Sequence, residues 1–129
     1  MAKILIVEDE KSLNQAYELV LKKASHDIDV AFNGEEALAA FKQNQPDLIL
    51  LDLRMPKMGG VDFLRKLNPV KNYPDVKIII FSNYDDQKEV DEALRLGGSH
   101  YILKAWSSPR ELVRLVDNTL REKNPALKR

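Results

Sequence analysis

Four short apolar runs, at residues 4–7, 48–51, 78–81 and 101–103, are set along the chain with stretches of helical spacing between them. Each has the length of a strand, and runs this free of polar residues suit strands covered on both faces. A fifth segment, 28–32, alternates Ile28, Val30 and Phe32 with Asp29 and Ala31, which predicts a strand with one face partly wet, at a sheet edge. Parallel neighbours need crossover connections, and helices between the runs supply them. The expected architecture is therefore α/β, a doubly wound five-stranded parallel sheet flanked by five helices. A length of 129 residues fits one domain. We expect that domain over residues 1–123, with 124–129 as a short basic C-terminal tail.

The helices follow from periodicity. Leu13, Ala16, Tyr17, Val20, Leu21 and Ala24 fall on one face of the first, with Ser12 as its expected N-cap. A second covers about 35–43, closed before Pro46, and a weaker third covers 61–67. A fourth, about 87–96, turns Val90, Ala93 and Leu94 inward, and Gly97 supplies the left-handed residue past its end. The last spans about 108–123 with Leu112, Val113, Val116 and Leu120 inward, and Pro109 stands in its first turn, where a missing N–H costs nothing.

Composition narrows function. Twenty Lys plus Arg balance twenty Asp plus Glu, which argues against the broad basic footprint of a direct nucleic-acid binder. No apolar run approaches the roughly 20 residues of a membrane span, and no signal-peptide core precedes Glu8. The absence of cysteine removes disulfides, thiolate zinc sites and cysteine nucleophiles, and fits a cytoplasmic location.

In an open parallel sheet, chemistry gathers at the carboxyl ends of the strands. Here the first strand is followed by Glu8, Asp9 and Glu10, the third by Asp52, the fourth by Ser82 and the fifth by Lys104. Asp9 and Asp52, with Glu8 nearby, would repel one another unless a cation sat among them. A small all-oxygen donor set with waters completing the shell suits Mg²⁺ better than Ca²⁺, and the lack of His or Cys argues against zinc. With a metal, a lysine and a hydroxyl around it, one carboxylate is equipped to attack a phosphoryl group. A single Asp after a strand is most often a turn former, and a single Lys there is usually solvated; it is the set together that carries the argument.

The motifs at 4–10, 47–56 with Gly59 and Gly60 behind them, 78–82, and 93–98 leading to 101–104 resemble the receiver domain of two-component response regulators over nearly the whole chain. That resemblance implies the strand order 2-1-3-4-5. It implies Asp52 as phosphoryl acceptor, Asp9, Asp52 and the backbone carbonyl of Arg54 as Mg²⁺ ligands, and Glu8 acting through a bound water. Ser82 and Lys104 would bind phosphoryl oxygens, and Ser82 with Tyr101 would form the switch. An edge-strand aromatic packed on the fourth helix is the plainer role for Tyr101. The implied function is a phosphorylation-dependent signalling switch, not an enzyme beyond its own phosphorylation and dephosphorylation. Its donor would be a histidine kinase or histidine phosphotransfer protein. Its output would be a changed face of fourth helix, fifth strand and last helix, read by a downstream protein target or by a phosphorylation-dependent dimer. We expect either a stand-alone receiver or one cut from a longer regulator.

The pattern departs from the family at Ala105, where a proline is usual, and at Asn83, where a small residue is usual; Arg54 and Tyr84 stand where dephosphorylation is tuned. A degenerate receiver, binding partners without phosphorylation, is the alternative. An aspartyl-phosphate phosphatase of the haloacid-dehalogenase type is disfavoured because Arg54 stands where a general acid is needed. A flavodoxin-like flavin binder is disfavoured because Glu8, Asp9 and Glu10 would repel a phosphate. Trp106 is read as either a partner-surface or a loop-anchoring aromatic, and His26 and His100 as structural or solvated.

Overall fold

The computed structural model describes residues 2–82, 87–104 and 108–122. Asn83, Tyr84, Ala105, Trp106 and the basic tail lie outside them. In chain order the elements are β1 (Lys3–Val7), α1 (Lys11–Lys23), β2 (Asp27–Ala31), α2 (Gly34–Gln43), β3 (Leu48–Leu51), α3 (Gly60–Leu67), α4 (Pro69–Asn72), β4 (Lys77–Ser82), α5 (Gln87–Arg95), β5 (His100–Leu103) and α6 (Pro109–Arg121). The five expected helices are all present, and α4 is an added single turn that opens on Pro69 after the left-handed Asn68.

All neighbouring strands pair in parallel, in the order β2-β1-β3-β4-β5. The order reverses direction after β1, so the loops behind β1 and β3 meet over one crevice. Side chains alternate across the sheet. Leu5, Val7, Ile49, Leu51, Ile78 and Ile80 face α2, α3 and α5, where they pack with Phe41, Phe63, Leu64 and Val90. Ile4, Ile6, Leu48, Leu50, Ile79 and Phe81 face α1 and α6, with Leu21, Leu112 and Val116. Both faces are therefore dry, which explains why the central strands read as unbroken apolar runs.

The structure corrects three expectations. Ser12 does not cap α1: the helix begins at Lys11 behind Glu10, which makes no side-chain cap bond. The inward face of α1 is turned toward Asn14 and Leu21, which are buried, while Ala16 is exposed. Ala31 of β2 is not on a wet face but fully buried against α2, because the edge strand is covered on both sides. Elsewhere the local signals act as anticipated: Pro109 occupies the first turn of α6. Ser108, placed by the periodicity at the start of that helix, is its N-cap and accepts a hydrogen bond from the Glu111 amide at 3.2 Å. Gly97 takes φ +129° just past α5, a backbone conformation that side chains resist.

Candidate functional site: a carboxylate and lysine rim

The carboxyl ends of β1 and β3 are side by side in register, Val7 opposite Leu51. Each strand delivers its next residues to the same point: Glu8 and Asp9 from one, Asp52 from the other. Glu8, Asp9 and Asp52 each place a carboxylate oxygen within 4.8 Å of the others. Asp9 is exposed, whereas Glu8 and Asp52 are only 3% and 6% exposed. Lys104, directly behind β5, reaches over β4 into this cluster and bonds the Glu8 carboxylate through Nζ. The same ammonium lies 3.1 Å from Asp52 Oδ2.

Asp52 is held from its own loop. Leu53 N–H donates to Asp52 Oδ1 at 2.8 Å, and Asp52 N–H donates to the Val7 carbonyl at 3.0 Å. The following glycine pair packs directly on this backbone. A Cβ on Gly60 would stand 2.5 Å from the Asp52 carbonyl oxygen, so only glycine permits the approach that shapes the loop. Glu8 is fixed at its second oxygen, Oε2, by the Glu10 N–H at 3.0 Å.

The electrostatics are those of a site short of positive charge. Burial pushes the Glu8 carboxyl up to about 7; the bond from Lys104 opposes this and the negative charge of Asp52 adds to it. For Lys104, burial alone would lower the ammonium, but its bond to Glu8 and the charges of Asp52 and Glu8 outweigh that and raise it. The lysine therefore stays cationic while the acids compete for it. An oxygen-only donor set of three carboxylates with one exposed member fits a hard divalent cation such as Mg²⁺, whose remaining positions are filled by water.

The other anticipated residues sit around this cluster. Ser82 ends β4, buried, between the strands that carry Asp52 and Lys104. Arg54 is exposed in the loop after β3, and its guanidinium Nε lies 4.0 Å from Glu89 of α5. Tyr101 is half-buried in edge strand β5, packed against the core cluster to which α5 contributes Val90 and Ala93. His26 and His100 lie at the opposite end of the sheet, paired with Asp117 and Glu122.

Two neighbours of the rim escaped the sequence reading. Tyr17 is close enough to interact with Lys104, Glu8 and Asp52, and burial pushes its hydroxyl up to about 12. Asn14, 1% exposed, donates through Nδ2 to the carbonyls of Glu8 at 2.9 Å and Ala31 at 3.1 Å. Its signal was present: Asn14 falls three residues before Tyr17 and seven before Leu21, so a polar side chain interrupts an apolar helix face.

A profile of the response regulator receiver domain matches residues 4–117. The chain belongs to that family. Among curated relatives it is 36% identical over 124 residues to a probable transcriptional regulator, ycf27, of Porphyridium aerugineum, covering 96% of this chain and 50% of that protein. It is likewise 36% identical to the DNA-binding response regulator MtrA of Mycolicibacterium smegmatis, covering 96% of this chain and 54% of that protein. The receiver domain thus spans about half the length of the curated relatives it matches. Among solved structures, a CheY-like receiver domain protein from Methanospirillum hungatei superposes with a TM-score of 0.85 at 26% identity, over 93% of this chain and 94% of that one. The chemotaxis protein CheY4 of Vibrio cholerae gives 0.83, also at 26% identity, over 92% and 98%. This is a receiver domain of two-component signalling, and among its described residues no helix is long and apolar enough to cross a membrane.

Proposed function

We propose that Asp52 accepts a phosphoryl group from a phosphohistidine of a histidine kinase or histidine phosphotransfer protein, and that the modified domain then changes its affinity for a protein target. The observation that carries this reading is Asp52 in contact with Lys104, 3.1 Å away, inside a cluster of three carboxylates. A carboxylate oxygen of Asp52 attacks phosphorus, the bond from phosphorus to the donor imidazole nitrogen breaks, and the electron pair returns to the imidazole. Asp9, Asp52 and the Arg54 carbonyl would hold Mg²⁺, with Glu8 acting through a bound water. When bound, the ion supplies charge neutralisation for the carboxylates and the incoming phosphoryl oxygens. Lys104 binds one of those oxygens, exchanging its contact with Asp52 for one with the new dianion, and the Ser82 hydroxyl donates to another.

The energetic consequence is a population shift. The phosphoryl group adds roughly two negative charges and three acceptor oxygens at the ends of β3, β4 and β5. Ser82 and Lys104 follow that charge, and Tyr101, packed toward α5, is the aromatic whose position changes with them, so the face of α5, β5 and α6 is biased toward one arrangement. We place the protein in the cytoplasm, treat its chemistry as confined to itself rather than to a turned-over substrate, and assign it a protein target or a phosphorylation-dependent dimer rather than nucleic acid. Residues 1–123 would form the switch, alone or as the receiver half of a longer regulator.

Intact-mass spectrometry after incubation with acetyl phosphate tests this. One added phosphoryl group that requires both Mg²⁺ and Asp52 is the expected result. An adduct that survives Asp52→Ala overturns the assignment. So does a wild-type protein that takes up no phosphoryl group and also shows no change in Trp106 fluorescence with beryllofluoride; that pair of results favours a phosphorylation-independent interaction module.

A further inference from the structure

We infer that Asn14 is a positioning residue for the carboxylate rim, fixing the backbone from which Glu8 and Asp9 project; this rests on the metal-binding reading of that rim. The β1–β2 ladder ends at Val7 and Ala31. Beyond it, Glu8 N–H still donates to the Ala31 carbonyl at 3.1 Å. In this register the next bond of the ladder would run from the Asn33 N–H to the Glu8 carbonyl, but Asn33 is the N-cap of α2 and makes no such bond. The Glu8 carbonyl is met instead by Asn14 Nδ2 at 2.9 Å, and the same nitrogen reaches the Ala31 carbonyl at 3.1 Å. One primary amide thus ties together the last residues of two adjacent strands, at the point where the chain swings into the acidic loop. Asn14 also donates its own N–H to the Glu10 carbonyl at 2.9 Å, closing that loop from the other side.

The opposite end of this side chain shows what the position is for. Asn14 Oδ1 is buried without a hydrogen-bond partner among the described residues. A buried, unpaired acceptor is destabilising, and an apolar residue would trade this orphaned oxygen for an unpaired Glu8 carbonyl, with little net change in stability. Asparagine is favoured here only if its two donors matter more than its orphaned oxygen. Leucine would bring no donors, and aspartate would set a carboxylate against two carbonyl oxygens.

The test separates positioning from packing. Mg²⁺ affinity by isothermal titration calorimetry and the urea unfolding midpoint are compared for wild type, Asn14→Leu and Asn14→Asp. In Asn14→Leu the lost donors and the removed orphan offset each other, so the midpoint stays near that of wild type while Mg²⁺ binds about 10-fold more weakly, the scale of a lost outer-shell partner. Asn14→Asp weakens both. Asn14→Met, whose flexible chain fills the same space, carries the same test if leucine prevents folding. Wild-type Mg²⁺ affinity in the folded leucine or methionine variant overturns the assignment, as does an affinity loss matched by a loss of stability. A wild-type protein that binds no Mg²⁺ overturns the metal reading of the rim itself, and the role of Asn14 with it.

Discussion

At the amino end of the sheet, His26 lies between the Ala2 amide and Asp117, His100 faces Glu122 at 2.9 Å, and Asp47 accepts the Lys3 N–H at 2.9 Å. Each of these groups has its own partner, and Asp117, His100 and Glu122 are at least one-third open to solvent. At the carboxyl end, Glu8 and Asp52 are buried beside Asp9 and share the single ammonium of Lys104. The same sheet therefore ends in a satisfied polar rim on one side and a crowded, under-neutralised one on the other. Burying like charges is costly, and nothing in the packing of the core requires it. The difference teaches where the fold keeps its chemistry: at the rim whose charges are balanced only when something further binds.

Removing the shared cation should give the largest separation between the two ends. In Lys104→Met the Glu8 and Asp52 carboxylates remain buried with no ammonium between them. We expect a loss on the order of 3 kcal/mol in urea unfolding at mildly alkaline pH, the scale for breaking a buried ion pair. The loss should shrink at acidic pH, where the carboxyls are neutral, and shrink again when Mg²⁺ is added. A variant as stable as wild type in metal-free alkaline buffer would show that the carboxyl-end charges are no more demanding than those at the amino end.

The next effect concerns Glu8 and has a definite sign. Its carboxyl is raised from 4.5 to about 7 in the folded protein, so the folded state binds the proton more tightly than the unfolded chain. The resulting stabilisation is fully present below about 4.5 and is lost as pH rises through about 7. Metal-free wild type should therefore weaken across that window by about 3 kcal/mol, at roughly 1.4 kcal/mol per pKa unit, the opposing bond from Lys104 being already contained in the raised value. Glu8→Gln removes this component, so its stability-against-pH curve should be flatter between the two values and higher than wild type above them. A parallel pair of curves would mean that Glu8 ionises as freely as a surface acid.

How far the sequence reveals this contrast depends on what kind of signal each part leaves. The central strands, Leu48–Leu51 above all, are buried on both faces and so appear as apolar runs with little ambiguity. Because parallel strands all present their carboxyl ends on one side, the residues after each run converge, which makes Glu8, Asp9, Asp52, Ser82 and Lys104 legible as a set. The start of α1 is not legible in the same way: Ser12 has the chemistry of a cap, yet the chain enters the helix one residue earlier, behind Glu10. The burial of Ala31 depends on α2 lying over an edge strand, a tertiary fact that no alternation at 28–32 encodes. Asn14 is visible in the sequence only as a polar residue on an apolar face; its role depends on the Glu8 and Ala31 carbonyls that the fold brings to its amide.

The smallest expected effect lies at the amino end and sharpens the comparison from the other side. His26 Nε2 donates to Asp117 Oδ1 at 2.8 Å, while its Nδ1 accepts the Ala2 N–H at 3.3 Å, so the ring links the start of β1 to α6. Asp117 is about one-third exposed, at 34%, and asparagine keeps an oxygen that accepts the same hydrogen bond. Asp117→Asn should therefore cost only about 0.5 to 1 kcal/mol, the net value of replacing one partly solvated charged acceptor by a neutral one. It should leave phosphoryl uptake from acetyl phosphate unchanged, since the contact lies at the amino end of β1 and the rim residues Glu8 and Asp9 follow its carboxyl end. A loss comparable to that of Lys104→Met, or reduced phosphoryl uptake in a fully folded Asp117→Asn protein, would show that the two ends of the sheet are energetically coupled and that the division of labour between them is wrong.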